Sequence, residues 1–145
     1  MSFAVDVNVL LYASDSSSPF HARATEVLTG WAAGGEVFCL AWPTVMSYLR
    51  IATHAAIFAR PLSADDAMVN IGALVALPHV RLLAEEDGFW EVYREVAGPV
   101  RPRGSLVPDA HLAAILRQHG VTVLQTNDRD FRRFDFLQVR NPFSD

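Results

Sequence analysis

The chain contains no lysine, and all 12 of its basic residues are arginine. Any mechanism that needs a lysine is therefore excluded, including the ammonium that balances phosphoryl charge in phosphoaspartate enzymes. Cysteine is nearly absent. The single Cys39, within Val37-Phe38-Cys39-Leu40, cannot form an internal disulfide and reads as a small buried apolar residue suited to a reducing cytoplasm. No apolar run approaches the ~20 residues that a spanning helix needs, so no membrane segment is expected. The start, Met1-Ser2-Phe3, shows no basic segment followed by an apolar run, so no secretory signal is expected either. A glycine-rich phosphate loop and a Gly-x-Ser-x-Gly elbow are both missing, which leaves nucleotide-triphosphatase and serine-hydrolase readings without support. The histidines His21, His54, His79, His111 and His119 form no zinc-like pair, and Asp109 and His111, two apart on a helix, face different ways.

What is present describes a compact globule. The 145 residues suit one domain, 1–145, with a full core, and 51% hydrophobic against 19% charged content is not that of a disordered chain. The net charge of -4 does not advertise nucleic-acid binding. Yet arginines gather late, at Arg101, Arg103, Arg129, Arg132 and Arg133, and a local basic rim can hold phosphate on an acidic protein.

Strand and helix patterns alternate at short intervals. Phe3–Val5 reads as a strand, Val7–Ala13 as the first turns of a helix, and Phe20–Ala33 as a helix with Ala24, Val27, Leu28 and Trp31 on one face, closed by Gly34-Gly35. Glu36–Leu40 reads as a second strand, followed by a helix opened by Pro43 and running through Thr44–Thr53. Ser63 caps a helix with Asp65 and Asp66 in its first turn, stopped by Pro78. Val80–Leu83 is a third strand, and Glu85-Glu86-Asp87 opens the next helix. After the loop Gly98–Ser105, a helix is expected from Asp109 to His119, a strand over Val121–Leu124, a short helix within Asn127–Phe134, and a fifth strand over Phe136–Val139. The pattern predicts a three-layer α/β fold with a mainly parallel sheet of four to five strands.

Three aspartates stand where strands should meet helices: Asp6 after Phe3-Ala4-Val5, Asp109 in Leu106-Val107-Pro108-Asp109-Ala110-His111, and Asp128 in Thr126-Asn127-Asp128-Arg129-Asp130. In an open parallel sheet the carboxyl ends of the central strands line one crevice, where sites form. Carboxylates gathered there repel one another unless a hard cation lies between them, and oxygen-only ligands suit Mg²⁺ or Mn²⁺. Each acid also has a plain structural alternative. Asp109 makes a good helix N-cap, and Asp128 can cap the turn after Thr126. Asp6, between two apolar stretches, is harder to explain as an unpaired carboxylate. Together they point to a metal-dependent hydrolase.

The motifs resemble those of the PIN-domain ribonucleases, specifically the VapC toxins of bacterial VapBC toxin–antitoxin pairs. The resemblance spans nearly the whole chain and rests on four strings in order. They are Val5-Asp6-Val7-Asn8-Val9-Leu10, Leu49-Arg50-Ile51-Ala52-Thr53-His54, Leu106 to Ala114, and Thr126-Asn127-Asp128-Arg129-Asp130-Phe131. The ending Val139-Arg140-Asn141-Pro142-Phe143 is similar to one common in actinobacterial members. The resemblance implies an α/β/α PIN-like domain and a metal-dependent endoribonuclease toxin. Asp6, Asp109 and Asp128 are then the metal-holding acids, Asp130 replaces or assists Asp128, and Asn8 and Thr126 lend support. The second acid of the family is usually a glutamate, and here that position is Ser47, which implies one well-held Mg²⁺ (Mn²⁺ being the other candidate) and a second only when RNA supplies oxygens. Arg50, Arg101, Arg103, Arg129 and Arg132 become candidates for RNA phosphates. The expected partners are a VapB-like antitoxin, laying an apolar helix in a groove lined by the first two helices, and a second copy of the chain in a homodimer. Ser47 also supports a rival, a non-catalytic PIN-like module that binds RNA or a partner without cutting.

Overall fold

The computed structural model describes residues 2–144. The elements run β1 (Ser2–Val5), α1 (Val7–Ser14), α2 (His21–Ala33), β2 (Val37–Ala41), α3 (Trp42–Ala52), α4 (Ala64–Val75), β3 (Val80–Leu83), α5 (Phe89–Ala97), α6 (Leu106–Gln118), β4 (Val123–Gln125), a 3-10 turn (Arg129–Arg133) and β5 (Gln138–Arg140). The strands form one sheet in the order β3-β2-β1-β4-β5, and each of its four pairings is parallel. This is the expected three-layer α/β/α arrangement, with the fifth strand present.

Side chains alternate across the sheet with a period of two. Phe3, Val5, Phe38 and Leu40 face one core with Val9, Leu10, Val45, Tyr48 and Ile71 from α1, α3 and α4. Ala4, Cys39 and Ala41 face the other, against α6 and the 3-10 turn. The residues on that second face are small, and so are helix residues that meet them: Ala110 and Ala113 are fully buried. Small side chains on both sides let α6 lie close to the sheet. Leu112, Ile115 and Leu116 are buried as well, because α5 and the 3-10 turn cover the rest of α6. Cys39 is buried and free, and its thiol is pushed up by that burial.

Two helices start elsewhere than the sequence predicts. α5 starts at Phe89 and not at Glu85, because Gly88 adopts φ 78, a left-handed conformation that ends the preceding turn and suits glycine. The Glu85–Asp87 segment is instead held from α6. The Gln118 side chain accepts from Glu86 N (2.8 Å) and donates to the carbonyls of Glu86 and Asp87, each at 3.0 Å. α6 starts three residues before the expected Asp109. Pro108 fits inside its first turn, since the first four N–H groups of a helix have no partner within it. Asp109 is therefore not an N-cap. That place belongs to Ser105, whose side chain makes no capping bond. The predicted capping of α4 by Ser63 is present, accepting from Asp66 N at 3.0 Å.

Candidate metal centre

The neighbours of β1 are β2 on one side and β4 on the other, so chain order reverses between β1 and β4 and a crevice opens at their carboxyl ends. Asp6 and Thr126 leave those two strands side by side. The Asp6 backbone N–H bonds Gln125 O at 3.0 Å, extending the strand pairing to the site itself. Asp6 is 8% exposed and caps α1: its Oδ1 accepts from Val7 N at 2.7 Å. Its Oδ2 accepts from the Thr126 hydroxyl at 2.7 Å and, more distantly, from Asn8 Nδ2 at 3.4 Å. The buried Thr126 hydroxyl also accepts from Asn8 Nδ2 (3.0 Å) and from Asp128 N (3.0 Å). One hydroxyl thus ties both strand ends to the turn that follows.

That turn supplies the next acids. Asp128 caps the 3-10 segment through Asp130 N (2.9 Å), as expected from the sequence. Asp109, half-buried in the first turn of α6, faces the same place: carboxylate oxygens of Asp109, Asp128 and Asp130 lie within 4.8 Å of one another. Burial, reinforced by the charges of Asp128, Asp6 and Asp130, pushes the Asp109 carboxyl up to about 7. Burial also raises Asp6, and the charge of Asp128 adds to it, while the Thr126 hydroxyl and the Val7 amide pull the other way.

A hard divalent cation fits this arrangement. The donors are carboxylate oxygens alone, and each oxygen keeps lone pairs beyond the hydrogen bonds it accepts. Little protein charge is paired with the gathered carboxylates. The one ion pair at these acids among the described residues is loose and exposed, Arg133 at 3.9 Å from Asp130. A zinc site draws no support, because the acidic group holds no histidine or cysteine. His111 instead lies 3.2 Å from Glu85, whose carboxyl is lowered by its own backbone N–H and by His111.

The structure brings Asp109, Asp128 and Asp130 within 4.8 Å of one another, while Asp6, bonded to Thr126 and Asn8, stands beside this group and is not one of the three. Ser47 is half-buried in the second turn of α3, and among the described residues its hydroxyl bonds none of the acids. Arg50 is exposed in the last turn of α3, Arg101 and Arg103 lie in the α5–α6 loop, and Arg129 and Arg132 project from the 3-10 turn beside Asp128. All five are exposed, and none takes part in an ion pair among the described residues. Two further asparagines, Asn127 and Asn141, join the network at 2.9 Å. Sequence reasoning assigns neither a role, since 14 residues separate them and only the placing of β5 beside β4 makes them neighbours.

Residues 3–137 match the PIN domain family. The chain is 46% identical over 144 residues to Ribonuclease VapC48 of Mycobacterium tuberculosis, covering 99% of both chains. It is 34% identical over 138 residues to Ribonuclease VapC43 of the same organism, covering 95% of this chain and 93% of that one. In fold it resembles Mycobacterium tuberculosis VapC20, a Sarcin-Ricin loop cleaving toxin, with a TM-score of 0.68 at 18% identity, covering 97% of this chain and 100% of the other. VapBC2 from Rickettsia felis, solved with a DNA fragment from its promoter, gives 0.69 at 13% identity, covering 97% and 98%. With its acids converging at the β1–β4 switch and this likeness along its whole length, the chain belongs to the PIN-domain family, in its VapC branch.

Proposed function

We propose that this chain, as a single PIN domain, is a metal-dependent endoribonuclease toxin of a type II toxin–antitoxin pair. The observation that carries the reading is the convergence of Asp109, Asp128 and Asp130 within 4.8 Å beside the buried Asp6. Asp6, Asp109 and Asp128 are the residues to hold the ion, with Asp130 assisting, and the all-oxygen set suits Mg²⁺ or Mn²⁺. When bound, such an ion supplies stabilisation of phosphate charge and a more acidic water. The chain's own residues do the rest. Thr126 and Asn8 orient the Asp6 carboxylate, Asp128 is fixed by its own capping bond, and the exposed Arg129 and Arg132 offer charge-assisted bonds to RNA phosphates. Arg50, Arg101 and Arg103 extend that rim. Hydrolysis of the phosphodiester leaves a 5′-phosphate and a 3′-hydroxyl.

A VapB-like antitoxin is the proposed partner. A cleft of about 440 Å³ lies among α1, α2, α3 and α4, lined by Leu10, Leu28, Tyr48, Ile71, Leu74 and Leu77. Two more helices than expected from sequence line it, and its apolar wall suits the face of an amphipathic helix. Homodimerisation belongs to the same reading, and exposed Trp42 and Met46, one turn apart on α3, offer it apolar surface. Among the described residues, no helix is long and apolar enough to cross a membrane. The proposed place of action is the cytoplasm.

The deciding experiment is cleavage of total cellular RNA by the purified protein with Mg²⁺, with chelator, and with Asp6→Asn. Discrete fragments that need both metal and Asp6 are expected, with cleavage by Asp6→Asn reduced at least about a hundredfold and its circular dichroism unchanged. A folded Asp6→Asn protein that still cuts would falsify the site assignment. Ser47, at the position of the missing acid, favours the second reading, a non-catalytic module. RNA binding that ignores chelator, with no fragments, is its signature.

A further inference from the structure

The polar network around the acids continues outward into the C-terminal tail. Asn127, between Thr126 and Asp128, is held at three points. Its backbone N–H donates to Asn8 Oδ1 (3.4 Å), its Nδ2 donates to the Tyr12 hydroxyl (3.3 Å), and its Oδ1 accepts from Asn141 Nδ2 (2.9 Å). The direction of these bonds is set by a group that has no choice. Phe143 N–H can only donate, and it bonds Asn141 Oδ1 at 2.9 Å. The Asn141 amine must then face Asn127, and the Asn127 amine must face Tyr12. The tail itself is anchored. The Phe143 ring packs on Tyr12 (5.2 Å) and Phe20 (5.1 Å), Arg23 Nε donates to Pro142 O (2.9 Å), and Thr126 N donates to Arg140 O (2.9 Å).

We propose that Asn141 is a positioning residue, and that residues 140–143 form a clasp which presses the Thr126–Asp128 turn against α1. Strand β4 is three residues long and cannot by itself hold the turn that follows it. The clasp holds Asn127 by its Oδ1 and α1 holds it by its Nδ2 and backbone N–H, and Asn127 lies between Thr126, which orients Asp6, and the ligand Asp128. The separation of those two carboxylates therefore depends on the tail as well as on the Thr126 hydroxyl, which bonds both Asp6 Oδ2 and Asp128 N. The inference rests on the metal-site reading above.

The test is Mn²⁺ binding to the full chain by titration calorimetry, with the melting temperature of the metal-free protein measured alongside. Asn141→Leu keeps the branched shape but cannot bond Asn127. It is expected to raise the Kd for Mn²⁺ by about tenfold, the low end for partners that orient metal ligands. Asn141→Asp keeps the network, because Asn127 can turn its amide over and the Tyr12 hydroxyl can donate instead. It is expected to bind within about threefold of the parent or more tightly, its added charge favouring the cation. Leu83→Ala, on the far edge strand, serves as a control that lowers stability without touching the clasp. If Asn141→Leu does not fold, Asn141→Ala leaves the same bond unmade. Parent-like Mn²⁺ affinity in Asn141→Leu, or equal weakening in Leu83→Ala, overturns the clasp and leaves the metal site standing. A parent protein that takes up no Mn²⁺ overturns both.

Discussion

Asp109 is the acid whose chemistry depends most on its neighbours. Its carboxyl titrates at about 7 because burial and three other carboxylates disfavour its charge. A cation must displace that proton, so apparent Mg²⁺ affinity should fall as pH drops below about 7 and level off above it. Titrations across that range check this, and in Asp109→Asn the pH dependence should flatten while affinity is weak throughout. Position 47 can be probed in the same way. Ser47→Glu should tighten Mg²⁺ binding by roughly tenfold if its side chain reaches the crevice, and an unchanged isotherm would show that it does not. Asp6 is recognisable from the sequence because it directly follows a strand pattern, where a carboxylate is costly to bury without a partner, and Asp128 because it stands in the turn beyond the fourth strand. The helix that carries Asp109 begins earlier than its sequence suggests, because Pro108 looks like a boundary and is in fact tolerated inside the first turn.

At the scale of elements, the site depends most on α6. It bears Asp109 and relies on alanines meeting Ala4, Cys39 and Ala41 across the interface. Ala113→Leu should overpack this contact and cost about 1–3 kcal/mol, read as a lower denaturant midpoint with an unchanged slope. Metal affinity should fall too, because the helix that carries Asp109 moves away from the sheet. β1 and β2 are readable as short apolar runs ending at turn or helix signals. The start of α5 is not, because three acids in a row read as a helix's first turn, whereas here Gly88 and a side chain from α6, Gln118, fix that segment as a turn.

For the whole molecule, gathered carboxylates lower stability until a cation arrives. Folding raises the Asp109 pKa from 3.8 to about 7, so its contribution is fully present below the lower value and is lost as pH rises through the upper one. The metal-free protein should accordingly melt higher near about pH 5.5 than near about pH 8, as far as this group decides. At the higher pH, Mg²⁺ at roughly a hundredfold excess over Kd should add ~2.7 kcal/mol, seen as a rise of roughly 5–10 °C for a domain of this size. No rise with added Mg²⁺ at high pH would count against a cation site.

Sequence alone determined the three-layer α/β class, the mainly parallel sheet, the acids at the strand–helix junctions and the family, because apolar runs, turn residues and short motifs are local properties. It also excluded lysine chemistry outright. Only the tertiary structure decided that Asp109, Asp128 and Asp130 gather within 4.8 Å, with Asp6 beside them, and that Asn141 reaches Asn127. Those contacts join positions up to 120 residues apart, and their geometry depends on strand order, on how closely α6 approaches the sheet, and on which face of each turn is buried.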